Sequence, residues 1–189
     1  MNDSSTGGYL SPAASPSPAE GDALQDFFHD LIAGITGLAN TLVFPAWQVE
    51  PANIPSTDWA GFRFTSRVPN QAPYTEHDGT GNGSSTIAKW EEIDLMVSFY
   101  GTNADSYAGI FADGLMIEQN RAVMFSSGVS LITLGKALQV PSLVKERWLY
   151  RVDFDARFTR QIQRTYPILN VQQVDFSLDN ETNTLNATV

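Results

Sequence analysis

The stretch ERWLYRVDFDARFTRQI, Glu146 to Ile162, alternates large apolar side chains with charged ones over more residues than an ordinary strand contains. Trp148, Tyr150, Val152, Phe154, Ala156, Phe158 and Ile162 fall on one side of an extended chain, and Arg151, Asp153, Asp155, Arg157, Thr159 and Gln161 on the other. Arg160 interrupts the apolar row, which predicts a bulge or bend near it. Fully extended, residues 147–162 would span about 53 Å at roughly 3.3 Å per residue, whereas a compact domain of this chain's ordered length is about 40 Å across. A ribbon that outreaches its own globule exposes apolar side chains and backbone edges, which soluble monomers avoid. The expectation is that a neighbouring copy covers it. The opposing reading divides the stretch at a bend into two ordinary strands packed on their own chain.

The remaining sequence supplies partners for this ribbon. Leu24, Phe27, Phe28, Leu31, Ile32 and Ile35 recur at helical spacing, with Asp22 placed to cap the first turn, Gln25 in a capping-box position, and Gly34 or Gly37 placed to end the helix. A second helix is predicted after Gly101, capped by Thr102 or Asn103, with Tyr107, Ile110, Phe111, Leu115 and Ile117 as its stripe and Gly114 as a point of close approach. Glu118 falls on the same stripe, so the pattern degrades there. Alternation predicts half-buried strands in WAGFRFTSR and TIAKWEEIDLMVSFYG, with Ile93, Leu95, Val97 and Phe99 on one face of the latter and Glu92, Asp94 and Ser98 on the other. Pro45 places TLVF on an edge or at a bend. Residues 69–86 read as a long loop, VSLITLGKALQVP as short strands, and VQQVDFSLD as a last strand. The order helix, strands, helix, strands, with long alternating strands, predicts an α+β fold whose mainly antiparallel sheet is covered on one face by two principal helices. Residues 1–20, rich in Ser, Pro and Gly, read as an extended arm; 21–179 read as a single domain and 180–189 as a polar tail.

The formal charge of −10 disfavours a protein built to grip phosphates. Its distribution is uneven: residues 145–164 hold six basic and three acidic side chains, whereas residues 1–144 hold five and fifteen. The chain contains no cysteine, which excludes disulfides, thiolate metal sites and a thiol nucleophile. The N-terminal sequence lacks a signal-peptide pattern and no apolar run has the length of a membrane span, so the chain reads as soluble and cytoplasmic, with no membrane partner.

No set of residues assembles into a catalytic centre. Asp78, Thr80, Asn82 and Gly83 occupy the first, third, fifth and sixth positions of a calcium-type loop, but Lys89 stands where the closing Glu belongs, so a hairpin loop is the better reading. His77 lies beside Glu76 and Asp78, and the only other histidine, His29, sits near Asp26 and Asp30; neither has the spacing of a zinc motif. Strand geometry separates Glu91 from Glu92 and Asp94, which argues against a carboxylate pair. Asn-x-Ser/Thr triplets at Asn2, Asn82, Asn180 and Asn186 carry no meaning without secretion. Trp47, Trp59, Trp90 and Trp148 read as core or interface anchors. No catalytic residue, cofactor or metal ligand is therefore assigned.

Five pieces in order, GYLSP, SFYG, DGLMIEQNR, VPSLVKERWLYRVDF and RTYPIL, resemble the tailed-bacteriophage neck or tail terminator proteins, also called tail-completion proteins, over most of residues 8–170. The resemblance implies a non-enzymatic virion protein with a twisted sheet and packed helices. It further implies assembly in the host cytoplasm as a sixfold ring at the head-proximal end of the tail, where it halts tube growth. The implied partners are further copies of itself, the tail-tube protein and the neck or connector proteins, with DNA passing through without sequence-specific binding. A head-completion or adaptor role is the nearest alternative, and a calcium-binding module a more distant one. On the ring reading, the expected subunit-interface residues are Arg63, Arg67, Trp148, Arg151, Asp153, Asp155, Arg157 and Arg160.

Overall fold

The computed structural model describes residues 2–14, 18–46, 55–69, 72–140, 142–144, 147–171, 175–180 and 183–188. Trp47 and Glu146 lie outside these. The chain divides into two compact units, one formed by residues 15–73 and 88–163 and the other by 1–14, 74–87 and 164–189.

In the larger unit the apolar face of helix α1 (Asp22–Thr36) buries Leu24, Phe28 and Ile32 completely. The expected capping box does not form. Gly21 takes the N-cap position with a left-handed φ of 86° and makes no side-chain cap, so Asp22 instead contributes negative charge inside the first turn. Gly37, at φ 74°, ends the helix in the left-handed conformation that glycine adopts without penalty.

The sheet of this unit runs in the order β1 (Val43–Pro45), β2 (Trp59–Pro69), β4 (Ser84–Tyr100), β8 (Arg151–Tyr166), β5 (Val129–Gln139); β3 (Tyr74–Asp78), which pairs with β4, belongs to the smaller unit. Pro45 sits on the edge strand, where its missing N–H costs no ladder bond. β1 pairs with β2 in parallel, whereas β2 with β4 and β5 with β8 are antiparallel. The contacts Ser98–Asp153, Asp94–Arg157 and Glu91–Arg160 show β4 descending as β8 ascends, so these strands are antiparallel too. The fold is α+β.

The second predicted helix is two: α2 (Ala104–Met116) and α3 (Glu118–Ser126), broken where Ile117 becomes extended at φ −68° and ψ 129°. A single apolar stripe would have carried Glu118 into the core; the break releases it. Asn103 stands at the N-cap of α2 but makes no side-chain cap. Its backbone N–H and its side-chain amide instead donate to the Asp58 carboxylate, at 3.1 and 2.8 Å. Gly114 does admit a close neighbour, the Ile35 side chain of α1 rather than a backbone.

The core joins Phe28, Phe111 and Leu115 to the inward rows Ile93–Phe99 and Val152–Phe158. Phe28 meets Phe158 edge-on at 5.1 Å, and Phe111 meets Phe154 at 5.8 Å. The apolar row of β8 is thus covered by its own chain, because the helices pack on it. The expectation that a neighbouring copy must cover it is overturned. The ribbon also breaks at Tyr150, not near Arg160: the Tyr150 carbonyl accepts from the Gly101 N–H, and residues 147–149 leave as β7 (Arg147–Leu149) to pair with β6 (Ser142–Val144). β5 is one strand rather than several, with register shifts between Leu131 and Thr133 and between Leu134 and Ala137.

In the smaller unit, residues 69–86 are not one long loop, since β3 and the start of β4 flank the turn 79–83. The Ala13 N–H donates to the Thr165 carbonyl at 2.7 Å, and Ala14 bridges to Thr165. β9 (Asp175–Asn180) pairs with β10 (Asn183–Thr188), a strand that the polar composition of the terminus does not announce.

Candidate functional site

The helix-covered face of the larger unit's sheet is apolar, and the opposite face carries charge. Arg157 donates to Asp94 through Nε at 2.6 Å and lies 3.7 Å from Glu92; the Asp94 hydrogen bond and charge push its pKa up, and the side chain is half exposed. Arg151 grips Asp153 with two bonds of 2.6 and 2.7 Å and lies 5.6 Å from the centre of the Tyr100 ring, which stacks on Trp59 at 3.9 Å. Burial works against the Arg151 charge, but the Asp153 hydrogen bond, together with the Tyr100 and Asp153 charges, leaves the pKa raised. Asp153 is buried and also accepts from Ser98. Arg63 reaches the Met96 sulfur at 3.2 Å, and Asp155 is exposed. Arg63, Arg151, Asp153, Asp155 and Arg157 therefore share this open face.

Arg67 and Arg160 do not. In β2, Phe64 faces Leu95 and Ser66 faces Asp94, so Thr65 is an extra residue. That bulge reverses the alternation and turns Arg67 to the covered side, where it holds Glu91 through bonds of 3.1 and 3.0 Å. Arg160, at 0% exposure, donates to the same carboxylate at 3.1 Å and to the Pro18 carbonyl at 2.8 Å, with Glu20 3.3 Å away. Its Nη2 lies 3.0 Å from Glu91 without hydrogen-bond geometry, so that approach is a pairing of charge alone. Burial lowers the Arg160 pKa, and Glu91 and Glu20 oppose the shift. The interruption in the apolar row is a buried ion cluster, not a bend. Arg160 is wholly interior, whereas Arg67 reaches in to Glu91 from an exposed position.

Trp148 stands on a different surface again. On the β6–β7 hairpin it faces Leu143 directly, and the two are 73% and 61% exposed. A second exposed apolar set lies on α3 and the preceding break, where Ile117, Val123 and Phe125 are open while Met124 is buried. Sequence reading passed over Val123 and Phe125. The available signal was the run Val123-Met124-Phe125, since a helix that turns Met124 inward cannot bury both neighbours.

The calcium-type loop is closed by its own hydrogen bonds. Asp78 accepts from the Thr80 N–H and hydroxyl at 2.9 and 2.7 Å, which lowers its pKa. Asn170 donates to the Gly79 carbonyl and contacts His77 Nε2, while His77 Nδ1 meets Ser85 Oγ. These bonds organise a hairpin turn. Among the described residues no cluster of His, Cys, Asp and Glu could hold a metal, and no helix is long and apolar enough to cross a membrane.

A family model described as phage neck terminator protein matches residues 22–182. No curated protein sequence matches the chain.

Proposed function

The chain belongs to the phage neck terminator protein family, a group of structural proteins of the phage tail and neck, and from that membership we propose that it forms a ring at the head-proximal end of the tail. The ring, a hexamer, ends growth of the tail tube and offers the neck or connector proteins a docking surface. It is assembled in the host cytoplasm and then carried in the virion. DNA passes through the ring without sequence-specific contact. The net charge of −10 fits that passage, because an acidic lumen repels passing phosphates.

The observation that carries the reading is the exposure of large apolar side chains in two separate places, Leu143 with Trp148 and Val123 with Phe125. Such surface on a single copy marks sites of assembly. The open-face residues Arg63, Arg151, Asp153, Asp155 and Arg157 remain proposed interface residues, and Trp148 joins them from the hairpin. Arg160, wholly buried, would act only through the fold, and the exposed Arg67 stays a proposed contact.

Mass measurement of the purified chain, together with electron microscopy of particles made without it, tests the proposal. The expected result is a sixfold mass and tubes of uncontrolled length that fail to join heads. Tails of normal length beside heads that cannot be completed would assign the chain to the connector instead.

A further inference from the structure

We infer that the β6–β7 hairpin of one copy inserts Trp148 and Leu143 into the groove between α1 and α3 of the next copy. The inference rests on the ring reading and gives it a contact. The groove, about 380 Å³, is lined by Phe27, Leu31, Gly34, Asn120 and Val123, with Asp30 at its side. Gly34 has no atom within 4 Å of where a Cβ would stand, so the groove floor is open above it.

Trp148 is 73% exposed and Val123 58%, so neither covers the other within one chain. The hairpin forms a small sheet of its own, and its register sets Leu143 opposite Trp148, so one face presents both apolar side chains together. Trp is the side chain most often found as the anchor of an interface, and its burial removes about 150–250 Å² from water.

Charge selects the occupant. The hairpin, residues 142–149, has Lys145 and Arg147 against Glu146 alone. α1, one wall of the groove, has Asp22, Asp26 and Asp30 and neither Lys nor Arg. A basic apolar knob and an acidic apolar groove on the same chain are complementary between copies. Because knob and groove are different surfaces, the contact is head-to-tail, the kind that closes a ring when the rotation between copies permits. A stable interface buries roughly 800 Å² on each partner, so the Trp–Leu pair anchors a larger contact.

The absence of cysteine allows a direct test. Leu143→Cys and Val123→Cys chains, which keep the Trp148 anchor, are separately tagged, mixed and mildly oxidised, both as purified protein and in tails assembled with them; thermal melts confirm that each variant folds. A disulfide between the two different tags, dominant over same-tag pairs, is expected. Trp148→Ala is expected to weaken association at least roughly tenfold, the scale of an interface anchor. Assembly of normal mass with no mixed disulfide, or with undiminished association of Trp148→Ala, overturns the hairpin contact and leaves the ring standing. Chains that stay monomeric in solution and in tails overturn both. Enrichment of the Leu143→Cys crosslink on a tail-tube or neck protein, in place of Val123→Cys, assigns the knob to that partner and refutes self-contact.

Discussion

Arg157 and Arg160 stand three residues apart on β8, in opposite surroundings. Arg157 lies half exposed on the open face, held by Asp94 and near Glu92. Arg160 lies wholly inside, bound to Glu91, close to Glu20 and capped by the Pro18 carbonyl. Odd spacing in a strand puts the two on opposite faces. The open-face arginine makes pairs that water and salt can replace. The inner one shares the buried Glu91 carboxylate with Arg67 and ties the chain before α1 to the sheet. The same residue type thus makes a solvent-exposed pair on one face and holds the architecture on the other.

Removing the inner arginine should break this contrast most visibly. Arg160→Ala leaves Glu91 buried with Arg67 as its remaining cation and strips the Pro18 carbonyl of its donor, which should cost about 3 kcal/mol of stability. Urea unfolding measures it. The loss should persist at high salt, because buried pairs are weakly screened. A loss no larger than that of an exposed substitution would mean that the two faces do not differ energetically.

A smaller effect is expected where β5 bulges. An added Cβ at Gly135 would stand 2.6 Å from the Asp155 carbonyl oxygen, a backbone atom that cannot turn aside. Gly135→Ala should therefore destabilise by about 1–3 kcal/mol, the usual range for overpacking. The same urea titration resolves it. An unchanged midpoint would show that β5 can shift its register against β8, and hence that the open face is less fixed than its ion pairs imply.

The sequence made the covered face legible and left its ionic end obscure. Alternation placed Ile93, Leu95, Val97 and Phe99 inward without reference to anything distant, and all four are buried. It also separated Glu91 from Glu92 and Asp94. Arg67 escaped because one extra residue, Thr65, reverses the phase, and a small polar residue between Phe64 and Ser66 carries no mark of a bulge. Arg160 was visible as an interruption, but its partners Glu20 and Glu91 are far off in sequence, so only the assembled sheet could show them as a cluster. The break at Ile117 was signalled by Glu118 on an apolar stripe. The hairpin was not signalled, because strict alternation continues from Trp148 through Tyr150 into Val152 while the backbone does not.

On the open face, charge reversal sharpens the contrast from the other side. Arg151 is a poor choice for this purpose: it grips the buried Asp153 and lies over Tyr100, so reversing it would disturb the fold and any assembly together. Arg157 lacks those ties. Arg157→Glu sets a third negative charge beside Asp94 and Glu92 on a solvated surface, where screening limits the cost to the single chain. Its urea midpoint should stay near that of the parent, while sedimentation should show weaker association at low salt, partly restored as salt rises. An Asp94→Arg change in the same chain should recover association at low salt if the neighbouring copy reads the local charge pattern rather than Arg157 alone. Full association of Arg157→Glu at low salt would remove the open face from the interface and leave the hairpin and the α1–α3 groove as the surfaces through which copies meet.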